Sequence, residues 1–585
     1  MIGLGRYHPA MRRARIGSYL LLTAVLCGFA VFLLYPIWLT VAVGFESRDG
    51  GFTLFHVLEV LRDPSTRIGL LNAAGIAVCT TLASLLISIP LALVSVKCDF
   101  PGKTAFNALV LVPLILPPFV GAIGLHHLLG RHGAISELLM TLGLTQQGID
   151  FIGQGGFWAI VLIETLHLYP IIYLNAAAAL ANLDPALEEA AAGLGASPWR
   201  RLRQIVLPLI RPGLFAGGTI VFIWSFTELG TPLMFDYQQV TPVQIFNGIK
   251  EMEASSRPYA LTAVLLIVAA GTYVLGKVLL GGGSRTMYAK ASIRSQPRRL
   301  GPWGAAAALC LFGGVTFAAV LPHISVVLAS LTTEGGWYDS VLPTQWTIEN
   351  YENALGHPLA SGSIRNSLLY SSLAVGIDLV VGLAIGYLIV RVRVRGRGLV
   401  DALAMLPLAV PGLVLAFGYV ALTLRWPFGK DDPLEGVLSV VGADPNPVLL
   451  LVIAYAVRRL PYVVRSTVAG LEQTSGELEE AALNLGASRA RALRTVVIPL
   501  ITANLIAGAL LAFSFAMLEV SDSLILAQRE SDYPITKAIY VLFERLGDGP
   551  GMASAMGVWA MALLAVTLVG ASVLMGRKMG AIFRV

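Results

Sequence analysis

The chain has 585 residues, 56% of them hydrophobic and only 13% charged, with a mean hydropathy of +0.74. Soluble domains carry about 25% charged residues, and here the apolar excess falls in runs such as 18–45, 68–96 and 497–527, each long enough to cross a hydrocarbon core of about 30 Å as a helix. A soluble enzyme, a secreted disulfide scaffold and a disordered chain are excluded, and the continuous rather than alternating runs argue against a β-barrel.

Twelve helical spans are predicted in chain order, at roughly 18–45, 68–96, 105–130, 155–181, 205–235, 260–281, 303–331, 365–390, 399–424, 447–471, 496–527 and 553–576. The first comes after Arg12, Arg13 and Arg15. It is too long for the apolar core of a signal peptide and reads as a retained anchor. Pro117–Pro118 and Pro411–Gly412 are expected to interrupt the third and ninth spans, and Pro170 and Pro461 the fourth and tenth. Cys27, Cys79, Cys98 and Cys310 form no CxxC pair and read as small buried hydrophobes. The net charge of +6 does not point to nucleic acid, because the bases sit between apolar runs. With the N-terminus placed in the cytoplasm, 26 of the 41 Lys and Arg fall in cytoplasmic segments, which puts both termini inside.

The chain is also a tandem repeat. GluGluAlaAlaAlaGlyLeuGlyAlaSer begins at Glu188, and GluGluAlaAlaLeuAsnLeuGlyAlaSer begins at Glu479, an offset of 291 that also relates Pro208 to Pro499 and Glu228 to Glu519. Asn72 and Asn366, Pro113 and Pro407, and Pro117 and Pro411 are related by 294. Six spans per half is an even number, so the halves are parallel repeats about an axis along the membrane normal. The boundaries are a first half at 1–284, a basic linker at 285–301 and a second half at 302–585.

The repeated segment, 184–208 and 474–499, reads as two short helices joined by a glycine turn. Asp184 is an expected N-cap with Pro185 behind it, and Thr474 with Glu477 reads as a capping box. Gly195 and Gly486 stand where a helix ends in a left-handed residue, and Ser197 and Ser488 are placed to cap the second helix of each copy.

Each copy resembles the EAA loop of ABC importer permeases: EAA, three residues, Gly, nine residues, then Ile-x-Leu-Pro. The first copy is Glu189-Ala190-Ala191, Gly195 and Ile205-Val206-Leu207-Pro208. The second is Glu480-Ala481-Ala482, Gly486 and Val496-Val497-Ile498-Pro499, where Ile and Leu become Val and Ile. The resemblance covers nearly the whole chain. It implies an all-α polytopic fold of the type I ABC importer permease class, in the bacterial cytoplasmic (inner) membrane. Glu189, Ala190, Ala191, Gly195, Glu480, Ala481, Ala482 and Gly486 are then the residues that couple to an ATPase. Two loops imply two copies of a cytoplasmic ABC ATPase, which would carry the ATP and magnesium, and an importer of this kind needs an external solute-binding protein. The chain itself would be a transport subunit with no cofactor and no catalytic residue. Gly271 to Lys277 spells GxxxxGK, but Val278 replaces the hydroxyl residue that a magnesium site needs.

For the cargo, fused double permeases of this length resemble the ferric-iron transport family and its thiamine, 2-aminoethylphosphonate and polyamine relatives. GluLeuGlyThrProLeuMetPhe (228–235) with ThrProValGlnIlePhe (241–246), and SerLeuIleLeuAlaGln (523–528) with TyrProIleThrLysAlaIleTyr (533–540), resemble the ferric-type group. Glu228, Glu519 and Asp522 lie within the expected spans, where ionisable groups face a water-filled path or a partner. They are the oxygen ligands a hard cation wants; alternatively each pairs with a base or accepts backbone bonds at a broken helix. His167 and the equivalent Arg458, with Arg459 beside it, suit an anionic or chelated passenger, or an arginine paired with Glu519 or Asp378. No metal site is assigned. Tyr169, Asn72 and Asn366 read as polar glue between helices. A transporter of another class, driven by an ion gradient with Glu228 and Asp522 as proton sites, is the competing reading.

Overall fold

The computed structural model describes residues 9–47, 51–153, 156–251, 255–280, 297–392, 394–442, 444–545 and 547–575. The linker stretch 285–296 and the bases at 577, 578 and 584 lie outside the described residues. Helices make up most of the rest. Among the described residues the sole sheet is a two-residue parallel pairing of Cys98–Asp99 with Arg298–Arg299, which lays the end of the linker along the loop after the second span.

The second and eighth spans are inside out compared with helices of a water-soluble protein. The second span, Pro64–Lys97, starts on Asp63, whose carboxylate accepts from the Ser65 amide at 3.2 Å. It buries Ala73, Ala77, Thr80, Ser84 and Ser88, and turns Val78, Leu82 and Leu86 outward, Leu86 at 75% exposure. In the eighth span, Pro358–Arg391, Ser367, Ser371 and Asp378 are buried while Leu369, Leu373 and Val380 are exposed. Hydrocarbon gives no hydrophobic force between helices, so small residues and hydroxyls make the contacts and the large side chains face outward. Ser88 Oγ, for example, donates to the Tyr169 carbonyl of the fourth span at 2.7 Å. Cys27 and Cys310, expected inside, are likewise exposed on apolar helices, and all four cysteines are free.

Nine described helices are long and apolar enough to cross a membrane. Two more spans are bent pairs: Lys103–Leu114 with Pro118–Thr141 at 93°, and Arg397–Ala409 with Gly412–Thr423 at 101°. These are the interruptions expected at Pro117–Pro118 and Pro411–Gly412. The tenth span, Val448–Gln473, has the length but carries Arg458, Arg459 and Arg465. The twelve expected spans therefore each have a helix, and the chain is a multi-pass membrane protein.

Two expectations about continuity need correction. Pro170 and Pro461 do not interrupt their spans: Phe157–Ala181 and Val448–Gln473 are continuous helices with the proline inside, since one lost backbone bond is tolerated within a packed bundle. The fifth and eleventh spans begin earlier and end sooner than 205–235 and 496–527. They run over Pro198–Phe226 and Arg489–Met517, so the second helix of each repeated segment is the start of the next span. Pro208 and Pro499 sit just after one widened turn, Leu202–Val206 and Leu493–Val497, where Leu207 and Ile498 amides bond five residues back to Leu202 and Leu493. A proline crowds the carbonyl four residues before it and offers no N–H, and the wide turn lets the helix run through.

Repeat and compact unit divide the chain differently. One unit comprises the described residues of Met1–Val43, Gly362–Thr536 and Ala565–Ile582, and the other those of Gly44–Ser361 and Lys537–Leu564. The first span thus belongs with helices of the second half, and the seventh span, Pro302–Ser330, with helices of the first. The docking points are repeat equivalents. A Cβ on Gly418 would lie 2.2 Å from the Pro36 carbonyl oxygen, and one on Gly124 1.8 Å from that of Pro322. Thr40 Oγ1 donates to Val414 O at 2.8 Å and Tyr419 to Phe32 O at 2.7 Å in one unit, and Ser325 Oγ to Gly124 O at 3.0 Å in the other.

Because the obstacle at both glycines is backbone, Gly124→Ala and Gly418→Ala should each lower stability by about 1–3 kcal/mol, read as a lower melting temperature of the detergent-purified chain. Gly376→Ala in the eighth span, whose Cβ would meet nothing within 4 Å, should leave the melting temperature equal or raised.

Candidate coupling and pathway sites

Each repeated segment is built by local rules that act twice. Asp184 accepts from the Ala186 amide at 3.0 Å and starts the helix Pro185–Gly193. The Ala196 amide bonds to Ala191 O and that of Gly195 to Ala192 O, both at 2.9 Å; in the second copy Ala487 bonds to Ala482 O and Gly486 to Leu483 O, both at 3.0 Å. This is a Schellman ending, which requires a left-handed residue. Gly195 and Gly486 supply it, at φ +81° and +88°. Ser197 and Ser488 then accept from the Arg200 and Arg491 amides, each at 3.3 Å.

The capping box at Thr474 does not form. The helix Glu477–Asn484 has Gly476 as its N-cap, already in helical conformation, so Thr474 lies too far back. Thr474 instead ends the tenth span, its hydroxyl donating to Leu471 O at 3.1 Å and accepting from Arg391 at 3.0 Å. Ser475 takes the Glu477 amide at 3.2 Å.

Glu189 and Ala190, like Glu480 and Ala481, are exposed, and Ala191 and Ala482 are half-buried. The glutamate before each motif turns inward instead. Glu188 bonds to Lys97 at the end of the second span. Glu479 accepts from Tyr387 and lies 3.7 Å from Arg391 at the end of the eighth. Lys97 and Arg391 are themselves repeat equivalents, so the same ion pair fastens each segment to its bundle. Arg391 also donates to Leu471 O and Thr474 O at 3.1 and 2.8 Å, closing the tenth span. Beside the exposed Glu189 and Glu480, the outer face carries bare leucines. Leu194 and Leu485 are 90% and 89% exposed, with Leu187 and Leu478 also exposed one turn or more away. Solvated leucines recurring at equivalent positions of a rigid helical hairpin mark a surface built to be covered.

The candidate pathway residues divide between the two units. In one, Glu228 stands just past the end of the fifth span, and its carboxylate accepts from the Gly230 and Thr231 amides at 3.1 and 3.3 Å. His167 Nδ1 donates to the Pro113 carbonyl at 2.8 Å, at the break of the third span. His323 Nε2 reaches the Pro117 carbonyl at 3.3 Å on the same break. In the other unit Glu519, Asp522 and Arg458 come together. Glu519, 3% exposed, bonds to Arg459 and lies 3.5 Å from Arg458, which is 3.7 Å from Asp522. Arg458 lies against Gly412 at the break of the ninth span, the place His167 takes in the first half. Equivalent residues thus sit at equivalent breaks with different chemistry. Asn72 and Asn366 do the same work in both halves: each amide donates to a loop carbonyl, Gln239 O at 2.7 Å and Ser531 O at 2.8 Å.

Both kinds of pairing are open to mutation. Lys97→Glu should impair transport, and Lys97→Glu with Glu188→Lys should restore it, because the swap rebuilds the pair; uptake by cells carrying each variant measures this. Glu519→Gln should destabilise the chain by about 3–5 kcal/mol, since it strips a buried arginine pair of its principal counter-charge. Glu228→Gln keeps an oxygen to accept the two amides and should shift the melting temperature far less.

The model of the family described as binding-protein-dependent transport system inner membrane component matches residues 80–280 and 379–579. A putative ferric transport system permease protein of Haemophilus influenzae is 26% identical over 518 residues, 86% of this chain and 78% of that protein. A probable ABC transporter permease protein of Sinorhizobium fredii is 28% identical over 510 residues, 85% of this chain and 86% of that one. A molybdenum transport system permease protein of Mycobacterium tuberculosis is 33% identical over 234 residues, 39% of this chain and 82% of its own length. The two family matches cover more than half of the chain, one in each repeat, and take in both repeated segments: the chain belongs to the binding-protein-dependent transport system inner membrane components, and is a transport subunit rather than an enzyme.

Proposed function

We propose that the chain is the permease of an ATP-driven importer of ferric iron or a ferric complex, fed by an external solute-binding protein. It sits in the bacterial cytoplasmic membrane with both termini and both coupling segments inside. Each segment receives one copy of a cytoplasmic ATPase, and ATP and magnesium are held there. The observation that carries this reading is the repeated hairpin: rigidly capped, ion-paired to the bundle, and presenting Leu194 and Leu485 bare. Glu189, Ala190, Ala191 and Gly195, with Glu480, Ala481, Ala482 and Gly486, form the rest of the docking surface. The GxxxxGK stretch at 271–277 supports a separate ATPase, because it lies inside the helix Arg257–Leu280 and forms no phosphate-cradling loop.

Iron as cargo rests on the relatives named for ferric transport and on the carboxylates at 228, 519 and 522. The arginines at 458 and 459 lie against Glu519 and Asp522, which fits a charge-balanced complex better than a bare anion. Glu228, His167, Glu519, Asp522 and Arg458 are proposed to line or shape the pathway.

The test has two arms. Leu194→Asp with Leu485→Asp should abolish copurification of the ATPase while the chain stays monodisperse; retention of the ATPase would remove the two leucines from the docking surface, and absence of any ATPase from the wild type would favour an ion-gradient transporter. Cells lacking the chain should lose uptake of radiolabelled ferric iron and regain it on complementation, with 2-aminoethylphosphonate, thiamine and polyamine uptake unchanged. Loss of one of those instead reassigns the cargo.

A further inference from the structure

Outside the repeated segments, three metal-ligating side chains converge. His132 lies in the turn between the helices Pro118–Leu129 and Ala134–Thr141, Glu137 lies in the second of these, and Asp339 lies beyond the seventh span. One ligand atom from each lies within 4.8 Å of the other two. His132 Nδ1 and Asp339 Oδ1 are 2.6 Å apart. Glu137 is bound to neither: its Oε1 is buried and has no hydrogen-bond partner. A carboxylate oxygen shielded from water and lacking a donor is satisfied by a proton or by a cation beside it, and among the described residues no Lys or Arg pairs with it.

The scaffold is built to hold the three in place. Ser136 Oγ accepts the Ile149 amide at 2.8 Å and anchors the Glu137 helix. His132 stacks on Tyr338, with ring centres 4.5 Å apart, and His127 stacks on Trp337 at 5.1 Å, so two ring pairs zip the segment carrying Asp339 onto the third span. His132 and Asp339 are 207 positions apart in the chain, so the grouping is tertiary and no local motif contains it.

We propose that His132, Glu137 and Asp339 bind a divalent first-row transition metal that staples the segment after the seventh span to the end of the third. One imidazole and two carboxylates suit such an ion, and its remaining positions stay open to water. Ligand atoms around a tetrahedral ion with bonds of about 2.1 Å stand roughly 3.4 Å apart, so on binding the 2.6 Å His132–Asp339 pair opens, the imidazole gives up its hydrogen bond to Asp339, and Glu137 completes the trio. The proposal is independent of the cargo.

Cobalt(II) titration of the full-length, detergent-purified chain tests it. The wild type should take up one equivalent with d–d bands of nitrogen and oxygen ligation and no thiolate charge transfer. Glu137→Gln should weaken binding by about tenfold or more without lowering the melting temperature, because it leaves the His132–Asp339 contact intact. His132→Ala should remove the bands. Unchanged binding in Glu137→Gln, thiolate bands in the wild type, or no uptake at all overturns the proposal.

Discussion

A short helix at the end of a membrane bundle can carry a displacement only if it is fixed to something rigid. The helices Pro185–Gly193 and Glu477–Asn484 have nine and eight residues, below the roughly 12–15 at which an isolated helix holds together in water. Their order is therefore imposed at the ends. The glycine turn closes one end, and the next helix runs unbroken into the fifth or eleventh span through the widened turn before Pro208 or Pro499. The Lys97–Glu188 and Arg391–Glu479 pairs hold the remaining side against the second or eighth span. A push on the exposed leucines thus meets a lever joined to two membrane helices.

The duplicated halves share this hairpin and differ at the breaks of their third and ninth spans. Both break the third or ninth span at a proline, and both place a nitrogen donor of the next span at the break. In one half the donor is His167, bonded to a backbone carbonyl, and Glu228 serves as a helix cap. In the other it is Arg458, with a second arginine beside it, so Glu519 and Asp522 become counter-charges. Burying an ion pair is expensive unless every charge finds partners. Once Arg458 is present, the positions around it are constrained, and Glu519 cannot serve as a plain cap like its equivalent. Arginines at one break and a histidine at the other make a two-half transporter chemically lopsided, which a homodimer of single permeases cannot be.

The features legible in the sequence are those that local chemistry or repetition writes down. The spans, the offset of 291, the glycine turns and the Ser197 and Ser488 caps are fixed within a few residues of chain, and the structure has them. The capping box at Thr474 fails for an equally local reason: three-residue spacing between Thr474 and Glu477 says nothing of whether Gly476 has already turned helical. Pro170 and Pro461 mislead because a proline's effect depends on the packing around it. The outward glutamates at 189 and 480 stand in the motif, whereas the inward ones at 188 and 479 acquire meaning only from Lys97 and Arg391, some ninety residues upstream. The equivalence of those two bases across the repeat is the available signal. The apolar spans themselves hide which face is buried; only the spacing of Thr80, Ser84 and Ser88 against Val78, Leu82 and Leu86 shows it.

The exchange of first spans bears on why the two repeats form one chain. Pro36 closes onto Gly418 and Pro322 onto Gly124, so each glycine surface is shaped for a helix from the other half. Both surfaces are backbone-close, which yields dispersion contacts that no lipid chain with its own thermal disorder matches. A half synthesised alone would leave its glycine surface bare and its first span without a seat. Fusion places both partners in one molecule at a fixed ratio, and the halves are then free to differ, one with arginines at its break and the other with histidines, without any risk of pairing like with like.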